Sequence, residues 1–358
     1  MNPQRQFCPN VHCHASGRMS GGNIVIHSRK QRRYKCTCCG RTFSETHGTS
    51  LYRLKKPAEL FVLVVTLLVH GCPVQAIVAA FGLDERTVSD WLRKASGHAQ
   101  RVHEHVMSRQ ELDLGQVQGD EIRVKTQGGV LWMALAVMVS TRLWLGGVVS
   151  AQRNMHLAQR LAAQIRRVAL ERPLLLAVDG WKSYVRAFRQ AFRTPVREGR
   201  CGRPRLVAWT TLAITQVIKR RQAQAFSIER RIVQGTEELV THLLQTSQQG
   251  GLINTAYIER LNATFRQRLG CLARRTRALA RTTRTVEAAM FLLGCVYNFC
   301  TAHETLSHSA PVTPAMAARL TDHVWSIQEL LHFKPPTSYQ PVKRRGRPPK
   351  IVCSCGFV

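Results

Sequence analysis

Carboxylates are scarce in this chain: 21 Asp and Glu stand against 52 Lys and Arg in 358 residues, a net charge of +31. A balance that basic repels itself, and a polyanionic partner is the simplest reason to keep it. Nucleic acid is the commonest such partner, because each neutralised phosphate releases a counterion and adds affinity. On charge alone, ribosomal and membrane-surface roles share that logic. Long apolar runs are also missing. The most apolar stretch, Leu60–Val69, is too short to span a bilayer and lies between Lys55-Lys56-Pro57 and Gly71, so it reads as a core helix. No secretory signal is visible, since Met1–Gln6 runs into a cysteine motif instead of an apolar segment. A cytoplasmic protein without a membrane partner is therefore expected. The 12 cysteines cluster in the first forty residues and are scattered elsewhere, a pattern that in an unsecreted chain favours metal binding over disulfides. What remains, 44% hydrophobic residues in a chain of this length, suffices for two or three domains with at least one large core.

The first cysteines fall in Cys8-Pro-Asn-Val-His-Cys13 and in Tyr34-Lys-Cys36-Thr-Cys38-Cys39-Gly-Arg-Thr-Phe43-Ser. Paired cysteines on tight turns beside short strand-like stretches are the layout of a zinc ribbon. Cys8, Cys13, Cys36 and Cys39 can surround one tetrahedral Zn²⁺. Cys38 can replace a neighbour, and His12 or His14 can substitute for Cys13. So small a segment lacks apolar mass, and metal binding would supply its folding energy.

From Pro57 the periodicity is helical. Pro73 opens a helix that Gly82 ends, and Asp84 caps the next, whose Val88, Trp91 and Leu92 share one face. Two short helices across a glycine turn fit a helix-turn-helix, with Arg86, Ser89 and Arg93 outward as DNA-contacting candidates. An ordinary helical hairpin has the same pattern. A basic linker helix is expected over about Ala95–Arg109.

Strands come next: Val117–Val124 alternates, Leu131–Ser140 is a long apolar run, and Arg142–Ser150 succeeds it. A helix over about Asn154–Leu170 leads to Pro173–Gly180, a buried strand ending in a carboxylate. The order predicts a mixed sheet covered by helices. Asp120 points the same way as Ile122 and Val124, and an unpaired carboxylate there is costly unless a cation neutralises it. Asp179 sits at the carboxyl end of an apolar strand, where open α/β sheets place their chemistry. Downstream, Ile258, Leu261, Phe265 and Leu269 form the buried stripe of a helix. Thr255, Glu259, Asn262 and Arg266 share its neighbouring polar stripe. Glu121, Glu237 and Glu238 are alternative acids.

Together these segments resemble the DDE transposases of bacterial insertion sequences, in particular the insertion-sequence-one-like group, over most of the chain. The resemblance rests on the cysteine knuckles, the helix-turn-helix, Gly119-Asp120-Glu121, Val178-Asp179-Gly180 and Asn254-Thr-Ala-Tyr-Ile-Glu259-Arg-Leu-Asn262. It rests also on Arg274-Arg275-Thr276-Arg277 and the run Tyr297-Asn298-Phe299…His303…Thr313-Pro314-Ala315. It implies a ribonuclease-H-like fold in which two aspartates and one glutamate hold two divalent ions, usually magnesium. Carried over, those ligands are Asp120, Asp179 and Glu259. Hard carboxylate oxygens suit Mg²⁺ or Mn²⁺, and two such ions serve in-line phosphoryl displacement. The implied partners are double-stranded DNA, both element terminal repeats and target, and further copies of the chain assembled on it. The implied location is the bacterial nucleoid.

Basic clusters supply further DNA-binding candidates: Arg266 on the acid-bearing helix, and Arg274 and Arg275 just beyond it. In the tail, Lys343-Arg-Arg345-Gly-Arg347-Pro resembles an AT-hook, in which arginines lie along a narrow A·T minor groove. Cys353 and Cys355 are assigned no role. The expected organisation is therefore α/β and multidomain. It comprises a zinc ribbon (1–50), a helix-turn-helix domain (51–110), a ribonuclease-H-like catalytic domain (111–300, with an insertion at about 195–252) and a tail (301–358). The expected activity is cleavage at element ends and strand transfer. The rivals are a non-catalytic DNA-binding regulator and a nuclease that cuts without joining.

Overall fold

Two units make up the computed structural model, which describes residues 1–197, 203–222, 225–273, 276, 279–307, 310–338 and 340. One unit is Met1–Gly48 with the segment from Lys334, and the other is Thr49–Phe333.

In the first unit, β1 (Ile24–Ser28), β2 (Arg33–Cys36) and β3 (Thr42–Ser44) form a three-stranded antiparallel sheet. Its apolar content is small. Ile24, Tyr34 and Phe43 are buried beside the cysteines, with the Tyr34 and Phe43 rings stacked at 5.9 Å. The chain returns to this unit after residue 333. Thr337 Oγ1 lies 2.9 Å from Ser16 Oγ, the Gln340 N–H donates to the Val11 carbonyl at 2.6 Å, and Lys334 Nζ donates to Gln6 and to the Glu45 carbonyl. Burial lowers the Lys334 pKa to about 8.

The second unit begins with α1 (Ala58–Val69), α2 (Val74–Phe81) and α3 (Glu85–Met107). Gly82 takes φ 59°, a left-handed conformation natural to glycine, and turns the chain out of α2. Asp84 then caps α3 by accepting the Arg86 N–H at 2.8 Å. The expected break before Ala95 does not occur. Trp91, Ala95, Ala99, Val102 and Val106 continue one buried stripe, and nothing between them removes a backbone donor, so recognition-type helix and linker are a single 23-residue helix. Its second half packs against the far later helix Thr283–Cys295, and its apolar residues belong to the same core as the main sheet. Residues 51–110 therefore share one core with the sheet and its helices.

Strands β4 (Gln116–Thr126), β5 (Gly129–Met138) and β6 (Trp144–Ser150) form an antiparallel meander. Helix α4 (Met155–Val168), capped by Asn154, crosses to β7 (Leu174–Asp179), which pairs parallel to β4. After α5 (Lys182–Ala191) come the small ladder of β8 (Arg193–Val196) and β9 (Arg205–Ala208), then β10 (Leu212–Gln222) and β11 (Ala225–Gln234). The six-stranded order is β11-β10-β7-β4-β5-β6, with β4, β7 and β10 mutually parallel neighbours in the centre. The stretch expected as an insertion thus supplies β10, a strand of the main sheet. Its apolar Leu212, Ala213 and Ile214 are buried there. Helices α6 (Glu237–Gln248) and α7 (Ala256–Arg268) lead to α8 (Thr283–Cys295), and α9 (Pro314–Ala317) and α10 (Ile327–His332) complete the unit. The segment 301–333 belongs to this unit.

Helix α8 approaches the sheet so closely that a Cβ at Gly294 would lie 2.2 Å from the Trp144 ring. Just beyond it, Asn298 is fully buried and treats Trp144 as a strand partner would, accepting from its N–H at 2.9 Å and donating to its carbonyl at 2.8 Å. Among the described residues, the helical run Thr283–Leu306 is the one stretch long and apolar enough to cross a membrane, and its apolar window is 61% buried within the protein.

Two histidines on α3 are buried in this core. His98 faces the Leu330 carbonyl at 3.2 Å, and His103 lies tilted against Trp144 with centroids 4.6 Å apart. Burial lowers both pKa values to about 4. The unfolded chain takes up these protons near pH 6.5 and the folded chain only near pH 4. Their stabilisation is therefore complete above about pH 6.5 and is lost as pH falls toward 4. At pH 5 the loss should be on the order of 2 kcal/mol per histidine. Urea unfolding at pH 7.5 and pH 5 checks this: the midpoint should drop, and His103→Phe should flatten the dependence. A pH slope unchanged by that substitution would remove His103 from the account.

Candidate functional site

The cysteines of the first unit converge. Cys8, Cys13, Cys36 and Cys39 place their sulfurs within 4.8 Å of one another. Cys8 and Cys39 are separated by 3.6 Å and Cys13 and Cys36 by 4.0 Å. A tetrahedral zinc with Zn–S bonds of about 2.3 Å requires sulfur separations of about 3.8 Å. The four residues could therefore hold such an ion. Tight turns make this possible: the Gly40 N–H returns to the Cys36 carbonyl at 2.9 Å, and the Cys13 N–H to the Asn10 carbonyl at 2.9 Å. Burial raises the Cys8 and Cys13 thiols. Burial also pushes Cys36 up, but the backbone N–H groups of Cys39 and Cys38 and the Asn23 amide outweigh it and bring Cys36 to about 6. Cys38 is exposed and outside the set, as are His12 and His14.

The second cluster forms where the parallel pair β4 and β7 ends. Their register, Gly119 opposite Val178, brings Asp120 alongside Asp179. The carboxylates of Asp120, Glu121 and Asp179 each offer an oxygen within 4.8 Å of the others. Such an arrangement repels itself, and the surroundings hold it together. Arg153 bonds both Glu121 and Asp179, the latter at 3.2 Å, and its guanidinium lies over the rings of Trp181 at 4.6 Å and Trp132 at 5.4 Å. Tyr184 donates to Glu121 at 2.8 Å, the Trp181 N–H to Asp179 at 2.9 Å, and the Asn262 amide to Asp120 at 2.8 Å. Burial, then the adjacent Glu121 charge, raises Asp120 to about 7. Burial, then Asp179, raises Glu121. Three hard carboxylates facing a single arginine are a donor set that a divalent cation fits.

Glu259 does not join this set. It lies on the exposed side of α7, where Lys219 and Thr255 bond its carboxylate, the latter at 2.6 Å. Burial pushes it up, but the Lys219 and Thr255 bonds together with the Lys219 charge outweigh it and its pKa falls. The helix that carries it is nonetheless tied to β4. Gln118, two residues before Asp120, accepts from the backbone N–H groups of Tyr257 and Ile258, both at 3.0 Å, and donates to the Asn254 carbonyl at 2.8 Å. One strand side chain thereby satisfies the open donors at the start of α7. Glu259 and Asn262 occupy successive turns, the second touching Asp120.

Arg86, Ser89 and Arg93 lie along the first turns of α3, with Arg93 bonded to Asp90 at 2.8 Å. Arg266 is half-buried and lines a pocket of about 220 Å³ with Arg123 and Lys125. Arg274, Arg275, Arg345 and Arg347 lie outside the described residues, as does most of the AT-hook-like tail. Sequence reasoning gave Glu121 only as an alternative and missed Arg153, Tyr184 and Gln118. The alternation of β4 puts Gln118 on the Asp120 face, a signal that could have found it. Arg153 belongs to a loop after β6, and no local pattern ties it to either acid. No protein-family model matches the chain, and no curated protein matches it.

Proposed function

We propose that the protein is a DDE-type DNA transposase that cleaves at the ends of a mobile element and joins them to target DNA. The observation that carries this reading is Asp120 and Asp179, side by side where the parallel pairing of the central strands β4 and β7 ends, with Asn262 of the helix that carries Glu259 bonded to Asp120. The strand order supports it: an antiparallel meander extended by two parallel strands from its first member is what a ribonuclease-H-like sheet has. The net charge of +31 supports a DNA partner.

Divalent ions, Mg²⁺ or Mn²⁺, would supply nucleophile activation and leaving-group stabilisation when held by the acids. The chain's own residues keep the acids convergent. Arg153 and Tyr184 fix Glu121, Asn262 fixes Asp120, and the Trp181 N–H fixes Asp179. Glu259 completes the triad by exchanging Lys219 for the site through a side-chain rotation, which frees Lys219 to face a phosphate. The Lys219 pairing and the convergence of Asp120, Glu121 and Asp179 favour a second ligand set, those three acids, with Glu259 serving to hold Lys219. In this reading Zn²⁺ holds the ribbon, and the ribbon and the start of α3 bind the terminal repeats.

The test is an assay of purified protein with labelled element ends, target DNA and Mg²⁺. Cleavage followed by joined products is expected. Cleavage without joining makes the protein a nuclease, and binding without cleavage makes it a regulator.

A further inference from the structure

The parallel pairing of β7 with β4 stops at Gly119, and beyond it that edge of β4 has no neighbouring strand among the described residues. The chain after α7 covers the edge instead. A single 3-10 turn, Gly270–Leu272, follows the helix. Farther on, the Ala280 N–H donates to the Lys125 carbonyl at 3.3 Å, and the Ala280 carbonyl accepts the Gln127 N–H at 3.3 Å. Between this segment and the strand lies the cavity of about 220 Å³, lined by Arg123, Lys125, Arg266, Cys271, Leu272 and Ala273. Three cations and no acid line it. Among the described residues, none of the three has a carboxylate ion pair. Burial pushes the Cys271 thiol up, so it stays neutral and adds no opposing charge.

Two routes lead from the acid cluster to this cavity. Along β4, Arg123 and Lys125 occupy the same strand face as Glu121, about 7 and 14 Å farther on. Along α7, Arg266 follows Asn262 by one helical turn, and Asn262 bonds Asp120. Uncompensated cations in a recess attract an anion, and two guanidinium groups with an ammonium suit phosphoryl oxygens. The volume is below the ~300 Å³ at which pockets for whole small molecules begin, so a phosphate within a longer chain fits better than a nucleotide. We propose that the cavity is a phosphate-binding subsite that takes a backbone phosphate of the DNA strand running to the acid cluster. The course of that strand rests on the transposase reading above; the binding of phosphate by the cavity does not.

Thermal unfolding of the full chain in inorganic phosphate, compared with chloride at equal ionic strength, tests the cavity. Phosphate at about ten times its dissociation constant should raise the melting temperature by roughly 3 °C. Arg123→Gln and Lys125→Gln, both exposed changes on β4, should each remove at least half of that rise, and Arg123→Lys should keep most of it. Arg172→Gln, an exposed arginine elsewhere, should leave it whole. Titration of a DNA duplex against salt, without divalent ions, then tests the occupant. The slope of log affinity on log salt should fall by about one in Arg123→Gln and stay unchanged in Arg172→Gln. Neither measurement uses turnover, so a protein that binds DNA without cutting it leaves both arms standing. A phosphate rise that Arg123→Gln removes, together with an unchanged slope, assigns the cavity to a small phosphorylated ligand and overturns the DNA assignment. A rise no larger than that in chloride, or one that survives both glutamine substitutions, overturns the cavity as a phosphate site.

Discussion

Asp179→Asn is expected to lower Mg²⁺-dependent strand cleavage by ~10³-fold or more, a barrier change of about 4 kcal/mol, while DNA-end binding stays nearly intact. Asparagine keeps the shape and can still accept the Trp181 N–H, so the change removes one metal-binding charge and the charge of the Arg153 pairing. Asp120→Asn should act equally. The same substitutions should leave thermal stability unchanged or raise it, because three carboxylates within 4.8 Å repel one another. Lost activity together with lost stability would point to a structural role for these acids instead. Glu259→Gln and Glu121→Gln then decide the third ligand. If Glu259 turns into the site, its loss should match that of Asp179. If Glu121 completes the set, Glu259→Gln should be mild and Glu121→Gln severe. Manganese binding followed by electron paramagnetic resonance gives a readout independent of turnover.

Cys36→Ser is expected to unfold the first unit and to take bound zinc from one ion per chain to none. The buried apolar side chains there, chiefly Ile24, Tyr34 and Phe43, are too few to stabilise a unit of that size alone. Structural zinc typically contributes about 10–16 kcal/mol. The thiolate removed is the one that backbone and Asn23 donors hold at about 6, well below the buried Cys8 and Cys13. Limited proteolysis should cut within residues 1–48 and spare Thr49–Phe333, whose core is separate. A folded first unit in zinc-free protein would remove the metal from the account.

How much of this was legible in the sequence depends on how local each signal was. The cysteine spacing sufficed for the four-sulfur cluster, because both turns bind within a few residues of themselves. Asp120 and Asp179 could be picked from strand alternation and a strand end. That they stand side by side comes from the parallel pairing of β4 with β7, which a period alone does not give. Strand β10 falls within the stretch expected as an insertion, yet its Leu212–Val217 pair in register with β7 inside the main sheet. The continuity of α3 was hidden by dividing the chain at a functional boundary, although the apolar spacing from Val88 to Val106 runs unbroken. Glu259 shows the limit. Its helical face was readable, but its partner Lys219 comes from another element 40 residues away.

The return of the chain to the cysteine unit at Lys334 has a consequence for biosynthesis. Gln6, Val11 and Ser16 leave the ribosome early, yet Lys334, Thr337 and Gln340, which bond them, emerge only after all of Thr49–Phe333 has been made. At ordinary synthesis rates that interval is roughly tens of seconds. The knuckles can capture their ion during it, but the unit's last contacts close after the larger core has had time to fold. A chain that stalls or is clipped before residue 334 would carry a ribbon without those contacts, a nascent state that quality-control proteases could distinguish from the finished protein.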